Sequence, residues 1–271
     1  MPSVASGQPA DPPSRAENPV VAATARPAGA AAGAGDLAAG WASRPGQILP
    51  PPSGEAEQLF GAHLSRLAAF GELLATDGVR RGLIGPREIP LLWDRHLVNC
   101  ALLAELLDPG IAVVDVGSGA GLPGIVLAMI RADLRVTLVE PMARRTVFLE
   151  ECRAALGLAN VVVVRGRAEE RSTIAVAGGA DVVTSRAVAP LDRLAAWCLP
   201  LVRVGGRMLA MKGERASVEL DRTRRDIERL GGTGARVVRC GIGVVETPAT
   251  VVEIVRRELG HVRRDRGRER R

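Results

Sequence analysis

The stretch that most constrains this chain is 112–124, AVVDVGSGAGLPG. A short apolar run ends near Asp115, glycines follow at every second position (Gly117, Gly119, Gly121), and Pro123 opens the next segment. Glycine has no Cβ and tolerates positive φ, so such a loop turns sharply and lets backbone N–H groups approach a bound group. Proline is tolerated in the first turn of a helix, where its missing N–H would have found no partner. The stretch therefore reads as strand, tight loop and helix, with a ligand seat at the carboxyl end of the strand.

The loop satisfies two patterns at once. Gly119, Gly121 and Gly124 fit G-x-G-x-x-G, the dinucleotide fingerprint. Asp115 with Gly117, Gly119 and Gly121 fits D-x-G-x-G-x-G, the pattern of S-adenosylmethionine (SAM) methyltransferases. The order of the following elements separates them. Apolar, β-branched runs at 111–116, 135–139, 160–165, 180–185 and 206–211 alternate with helical stretches at 123–132, 142–157, 190–201 and 214–230. Near-continuous apolar strands belong to a parallel sheet covered on both faces. The last two strands, 235–240 and 249–256, have no helix between them and are expected to pair as an antiparallel hairpin. That layout predicts an α/β, Rossmann-like fold of the class I SAM-dependent methyltransferase type, with a seven-stranded sheet. A dinucleotide-binding domain would end on a parallel sixth strand.

Residues 55–108 read as a small helical cap ahead of the 111–256 domain. Phe60, Leu64, Leu67, Phe70 or Gly71, and Leu74 recur at helical spacing. A break at Gly82–Pro86 precedes a second helix through Leu91, Leu92, His96 and Leu103 to Leu107, stopped by Asp108-Pro109-Gly110. Residues 1–53 are rich in Pro, Ala and Gly and are expected to be disordered. The arginine-rich tail, 257–271, is either a solvated run or an RNA-contacting arm.

Composition removes several function classes. Aromatic residues make up 2% of the chain and Tyr is absent, which excludes an aromatic stacking platform for single-stranded nucleic acid. A net charge of +6 suits a polyanionic partner. Cys100, Cys152, Cys198 and Cys240 are far apart with no C-x-x-C, so no metal is expected and the thiols read as small core residues in a reducing compartment. No run approaches the ~18 apolar residues of a membrane span, and no basic start followed by an apolar block suggests a leader. The expectation is a cytoplasmic protein without a membrane partner.

Three strand ends carry candidate chemistry. RVTLVE ends in Glu140, placed to accept hydrogen bonds from both ribose hydroxyls of an adenosine cofactor, NAD or SAM alike. The third strand leads to Arg167-Ala168-Glu169-Glu170, where SAM enzymes commonly meet adenine. The fourth leads to Thr184-Ser185-Arg186-Ala187, where the N-P-P-Y or D-P-P-Y turn of exocyclic-amine methylases is missing. Cys198, inside a predicted helix, is a poor nucleophile for C5 methylation. What remains is an acceptor that already offers a lone pair.

The segments WDRHLVNC (93–100), VVDVGSGAGLPGIVLA (113–128), RGRAEE (165–170), SRAVAPL (185–191) and MKG (211–213) resemble the ribosomal RNA small subunit methyltransferase G family, also called glucose-inhibited division protein B. The likeness runs from about Glu55 to Arg256. It implies methyl transfer from SAM to N7 of a guanosine in the 530 loop of 16S rRNA, on free RNA or the small ribosomal subunit, by a cytoplasmic monomer. It assigns SAM contacts to Gly117, Leu122, Ala168, Glu169 and Arg186. Asp115 would orient the methionine end through water. No catalytic base is required. Positioning would fall to Arg186, to Arg95 and His96 on the cap, and to Lys212, the chain's one lysine, expected to touch an RNA phosphate or base. Two other classes stay open: an NAD(P)-dependent oxidoreductase, and a non-catalytic RNA-binding protein that keeps the fold.

Overall fold

The computed structural model describes residues 48–186 and 189–258. The cap opens with α1 (Gly54–Phe60), whose N-terminus is capped by Ser53, the hydroxyl accepting the Ala56 N–H at 3.1 Å. A single 3₁₀ turn then leads into α2 (Leu64–Leu73). The expected second helix is a string of short pieces. A 3₁₀ turn (Pro86–Leu91) is followed by a widened, π-type stretch (Leu92–Val98), one α-turn and a closing 3₁₀ turn (Leu102–Leu106). Widened turns of this kind gather at functional sites.

Disorder was expected through residue 53, and the structure corrects that boundary for Ile48–Ser53. Glu72 accepts the backbone N–H groups of Ile48 and Leu49, each at 3.0 Å, and the Trp93 indole N–H donates to the Pro50 carbonyl at 2.8 Å. Leu49 is buried against Gly71, where an added Cβ would lie 2.7 Å from Leu49 Cδ2. One leucine and a capping serine thus dock a stretch whose composition reads as disordered. Residues 1–47 and 259–271 lie outside the described residues, so the rest of the extension and nearly all of the basic tail are not described.

The sheet runs β3-β2-β1-β4-β5-β7-β6. Its strands are β1 (Ala112–Val116), β2 (Arg135–Glu140), β3 (Val161–Arg165), β4 (Ala180–Arg186), β5 (Val202–Lys212), β6 (Gly232–Cys240) and β7 (Ala249–Arg256). The first five are parallel. β7 lies antiparallel between β5 and β6, pairing Leu209 with Glu253 and Val237 with Val252. The expected terminal hairpin is present, with the last strand as its inner arm.

Side-chain alternation divides the core. Val113 packs toward the cap, α3 (Gly124–Ile130) and α4 (Ala143–Ala155). Val114 and Val116 face α6 (Leu191–Cys198) and α7 (Ala216–Arg229) on the other side. Asp115 shares the face of Val113 and so points at α3. All four cysteine thiols are buried and unpaired with one another, as small core residues should be. One helix was not foreseen: α5 (Arg171–Ala177), which buries only Thr173 and Ala177 and leaves no apolar period to read.

β1 sits between β2 and β4, so the chain reverses direction across the sheet at this point. Doubly wound sheets bind ligands at this switch, beyond the carboxyl ends of the strands. The glycine loop, Glu140 and Arg186 all lie there.

Candidate active site

The glycine loop is held from below and from the side. Gly117, Gly119 and Gly121 have φ of +69°, +57° and +90°, a region that disfavours any side chain. Beneath them Asp115 is fully buried. Its Oδ2 accepts the Gly124 N–H at 3.0 Å, and its main-chain carbonyl accepts the Ser118 hydroxyl at 2.8 Å. Oδ1 is buried with no hydrogen-bond partner, and burial pushes the carboxyl up to about 7. Gly124 is required for close helix–sheet packing: a Cβ there would overlap Leu138 and lie 2.8 Å from Asp115 Oδ2.

Glu140 fixes the loop laterally. Its Oε2 accepts the Gly119 N–H at 3.0 Å and its Oε1 accepts the Met142 N–H at 3.0 Å. Arg145, in the opening turn of α4, approaches within 3.6 Å. A carboxylate offers about four lone-pair positions. Two are engaged here, leaving capacity for a vicinal diol.

Above the loop lies a cleft of about 490 Å³. That volume falls in the range of small-molecule sites. Gly117, Gly119 and Glu140 form one side, and Leu122 and Met142 add apolar surface. The cap contributes Leu83, Ile84 and His96, and β4 contributes Arg186. Arg186 is anchored to the cap: Nη1 donates to Cys100 Sγ at 3.1 Å, and Nη2 donates to the Arg95 carbonyl at 3.0 Å and to His96 Nδ1 at 2.9 Å. Burial, reinforced by the Arg186 charge, holds the His96 ring below its ordinary value. Burial also raises the Cys100 thiol, which keeps it protonated beside the guanidinium.

The structure thus brings together Gly117, Gly119, Leu122, Glu140, Arg186 and His96 at one cleft. Asp115 is fully buried at the base of the loop, and Gly121 turns the loop against Ile125. Four of the predicted residues lie outside the lining of this cleft. Ala168 and Glu169 do not line the cleft: Ala168 is packed into the core on the far face of the sheet, and Glu169 is exposed. Their turn is tied back on itself, with Glu170 N–H donating to the Arg167 carbonyl at 3.0 Å. The Arg95 side chain is exposed and leans on Glu88 at 3.6 Å, so Arg95 meets Arg186 through its carbonyl and not its charge. Lys212 is bound internally, with Nζ 2.9 Å from Glu219 Oε1 and 2.8 Å from the Ala189 carbonyl. Sequence reasoning missed Arg145, Leu83 and Ile84. The first lies in the opening turn of α4, just past the strand-end acid, and a basic residue so close after Glu140 is the signal that could have found it.

The donor set fits SAM. Glu140 retains lone pairs for a ribose diol, the loop exposes backbone at positive-φ glycines, and a buried carboxylate oxygen lies unpaired under the loop. Sheet order, glycine loop and strand-end acid define the protein as a class I SAM-dependent methyltransferase.

The family described as rRNA small subunit methyltransferase G matches residues 63–246, and the chain belongs to that family. A ribosomal RNA small subunit methyltransferase G from Corynebacterium glutamicum is 52% identical over 209 residues, covering 77% of this chain and 93% of the relative. The protein of the same name from Salinispora tropica is 57% identical over 226 residues, covering 79% and 92%. That from Rhodococcus jostii is 56% identical over 201 residues, covering 74% and 88%. Among the described residues, no group of His, Cys, Asp and Glu could hold a metal ion, and no helix is long and apolar enough to cross a membrane.

Proposed function

We propose that the protein methylates N7 of a guanosine in the 530 loop of 16S rRNA, acting as a cytoplasmic monomer on the small ribosomal subunit or its RNA. When bound, SAM supplies an electrophilic methyl group on a sulfonium.

The observation that carries the choice of N7 is how the polar groups at the cleft are engaged. Both ring nitrogens of His96 are in hydrogen bonds, to Glu88 and to Arg186. Both oxygens of Glu140 hold backbone N–H groups, and Asp115 lies beneath the loop. None of these groups stands open as a general base. Guanine N7 needs none, because it presents an in-plane lone pair and no proton. The protein's part is alignment and exclusion of water. Glu140 and the glycine loop seat the nucleoside half of the cofactor. Arg186, fixed against the cap, offers a cation to the methionine carboxylate.

The test is mass mapping of 16S rRNA from a strain lacking the gene. A 530-loop fragment lighter by one methyl group, restored by the wild-type gene, is the expected result. An unchanged fragment would exclude this substrate.

A further inference from the structure

The cap reaches the cleft through a file of three side chains. Glu88 Oε2 lies 2.8 Å from His96 Nε2, and His96 Nδ1 lies 2.9 Å from Arg186 Nη2. Glu88 comes from the Pro86–Leu91 turn, His96 from the widened Leu92–Val98 stretch, and Arg186 from the end of β4. A guanidinium only donates, so the Nδ1 that faces it carries the lone pair. The ring proton is therefore on Nε2 and is donated to the Glu88 carboxylate. The second Nη2 proton goes to the Arg95 carbonyl, and Nη1 donates to Cys100 Sγ. The cap thus holds Arg186 at three points, and one of them exists in only one of the two neutral forms of His96.

We propose that Glu88 is a positioning residue for methyl transfer: by fixing His96 as the Nε2–H tautomer, it keeps Arg186 drawn against the cap at the wall of the cofactor cleft. The proposal rests on reading that cleft as the SAM site. Second-neighbour carboxylates commonly set the tautomer and orientation of a working imidazole. The charge states agree. The His96 hydrogen bond is the largest influence holding the Glu88 carboxyl below its ordinary value, and Arg95 adds a cation at 3.6 Å. His96 is lowered by burial first and by Arg186 next, so at neutral pH the ring is uncharged and the carboxylate ionised. Arg186 and Glu88 favour the Nε2–H form together; without Glu88 only Arg186 opposes a proton on Nδ1. That proton would meet the guanidinium donor to donor, and Arg186 would leave the cap.

The chain has three histidines, so long-range ¹⁵N–¹H spectra of the full-length protein resolve the His96 ring, assigned by its loss in His96→Asn. The wild type should show Nε2–H at pH 7.5. Glu88→Ala should shift the ring toward Nδ1–H and weaken SAM binding about ten-fold, the worth of one charged hydrogen bond. It should also lower kcat, with some loss of Tm because the buried Nε2–H loses its acceptor. Glu88→Gln keeps an acceptor for Nε2–H and should restore both the tautomer and the affinity. A wild-type ring protonated on Nδ1 overturns the proposal. So does Glu88→Ala with an unaltered ring, or an altered ring with unaltered SAM affinity and kcat. Failure of the wild type to bind SAM would instead overturn the reading of the cleft, and the tautomer in Glu88→Ala would still decide whether Glu88 sets His96.

Discussion

Asp115 and Gly124 are joined by a 3.0 Å hydrogen bond from the Gly124 N–H to Oδ2, which closes the glycine loop onto the strand it leaves. The same carboxyl is fully buried, and its other oxygen has no partner. The loop is therefore held in shape by a group whose ionisation works against the fold. Burial raises it from 3.8 to about 7.

The pH dependence of stability follows from that shift. A carboxyl with a raised folded-state value holds its proton in the folded state while the unfolded chain has already released it. Its contribution is full below pH 3.8 and is lost as pH rises to about 7. Thermal unfolding across this window should show Tm falling with pH. In Asp115→Asn, which keeps an oxygen for Gly124, that slope should flatten. An identical slope in both proteins would mean that Asp115 is ionised throughout.

Much of this site is legible in sequence because it depends on backbone. Glycines at 117, 119 and 121 announce positive φ, and the carboxylate ending the second strand is found beside that loop, holding the Gly119 N–H. The strand–helix rhythm carries the sheet in the same way. What escapes is decided by side chains from distant segments. Lys212 sits at a strand end, where a lone lysine looks aimed at a ligand. Only the fold shows Glu219 and the Ala189 carbonyl waiting for it. Arg95 sits on the cap as its place in the sequence suggests, yet it meets Arg186 through its carbonyl. α5 lacks an apolar stripe, and the docking of Leu49 depends on a notch at Gly71 that local composition does not reveal.

Lys212 therefore makes a different prediction from the one its position suggests. Glu219 Oε1 accepts both Lys212 Nζ and the Leu191 N–H, the latter at 2.5 Å, so the pair pins the segment that follows β4. Lys212→Ala should lower the unfolding free energy by about 1.5–3 kcal/mol, the range for a charged hydrogen bond. It should reduce kcat by loosening the neighbourhood of Arg186, and RNA affinity in filter binding should be unchanged. Weakened RNA binding with intact stability would return Lys212 to the RNA surface.

The docking of the pre-cap segment can be read from two adjacent residues. Leu49 is 3% exposed and Ile48 is 50% exposed. Leu49→Ala should cost about 2–5 kcal/mol, the span seen for core leucines. Ile48→Ala should stay within about 0.5 kcal/mol, as surface changes do. Urea denaturation of the two variants is the measurement, and equal small losses would show that the segment contributes nothing to the fold.

Two glycines of one loop should fail in different ways. Gly119 lines the cleft at φ +57°, and a Cβ there meets only the Gly117 carbonyl, at an ordinary 3.6 Å. Gly119→Ala thus carries a backbone cost of about 1–2 kcal/mol, the strain of a left-handed residue. It also disturbs the N–H that Glu140 holds, so the larger loss should appear in SAM affinity. Gly124 carries no such φ, but its Cβ would overlap Leu138 and press on Asp115 at 2.8 Å. Overpacking in a filled interior costs about 1–3 kcal/mol, and here it also strains the bond that closes the loop. Gly124→Ala should therefore lose more stability than Gly119→Ala. Calorimetry gives the SAM affinities and thermal melts give the stabilities. The reverse order of stabilities would mean that α3 shifts to admit the methyl group, and that the loop does not depend on close contact between α3 and β2.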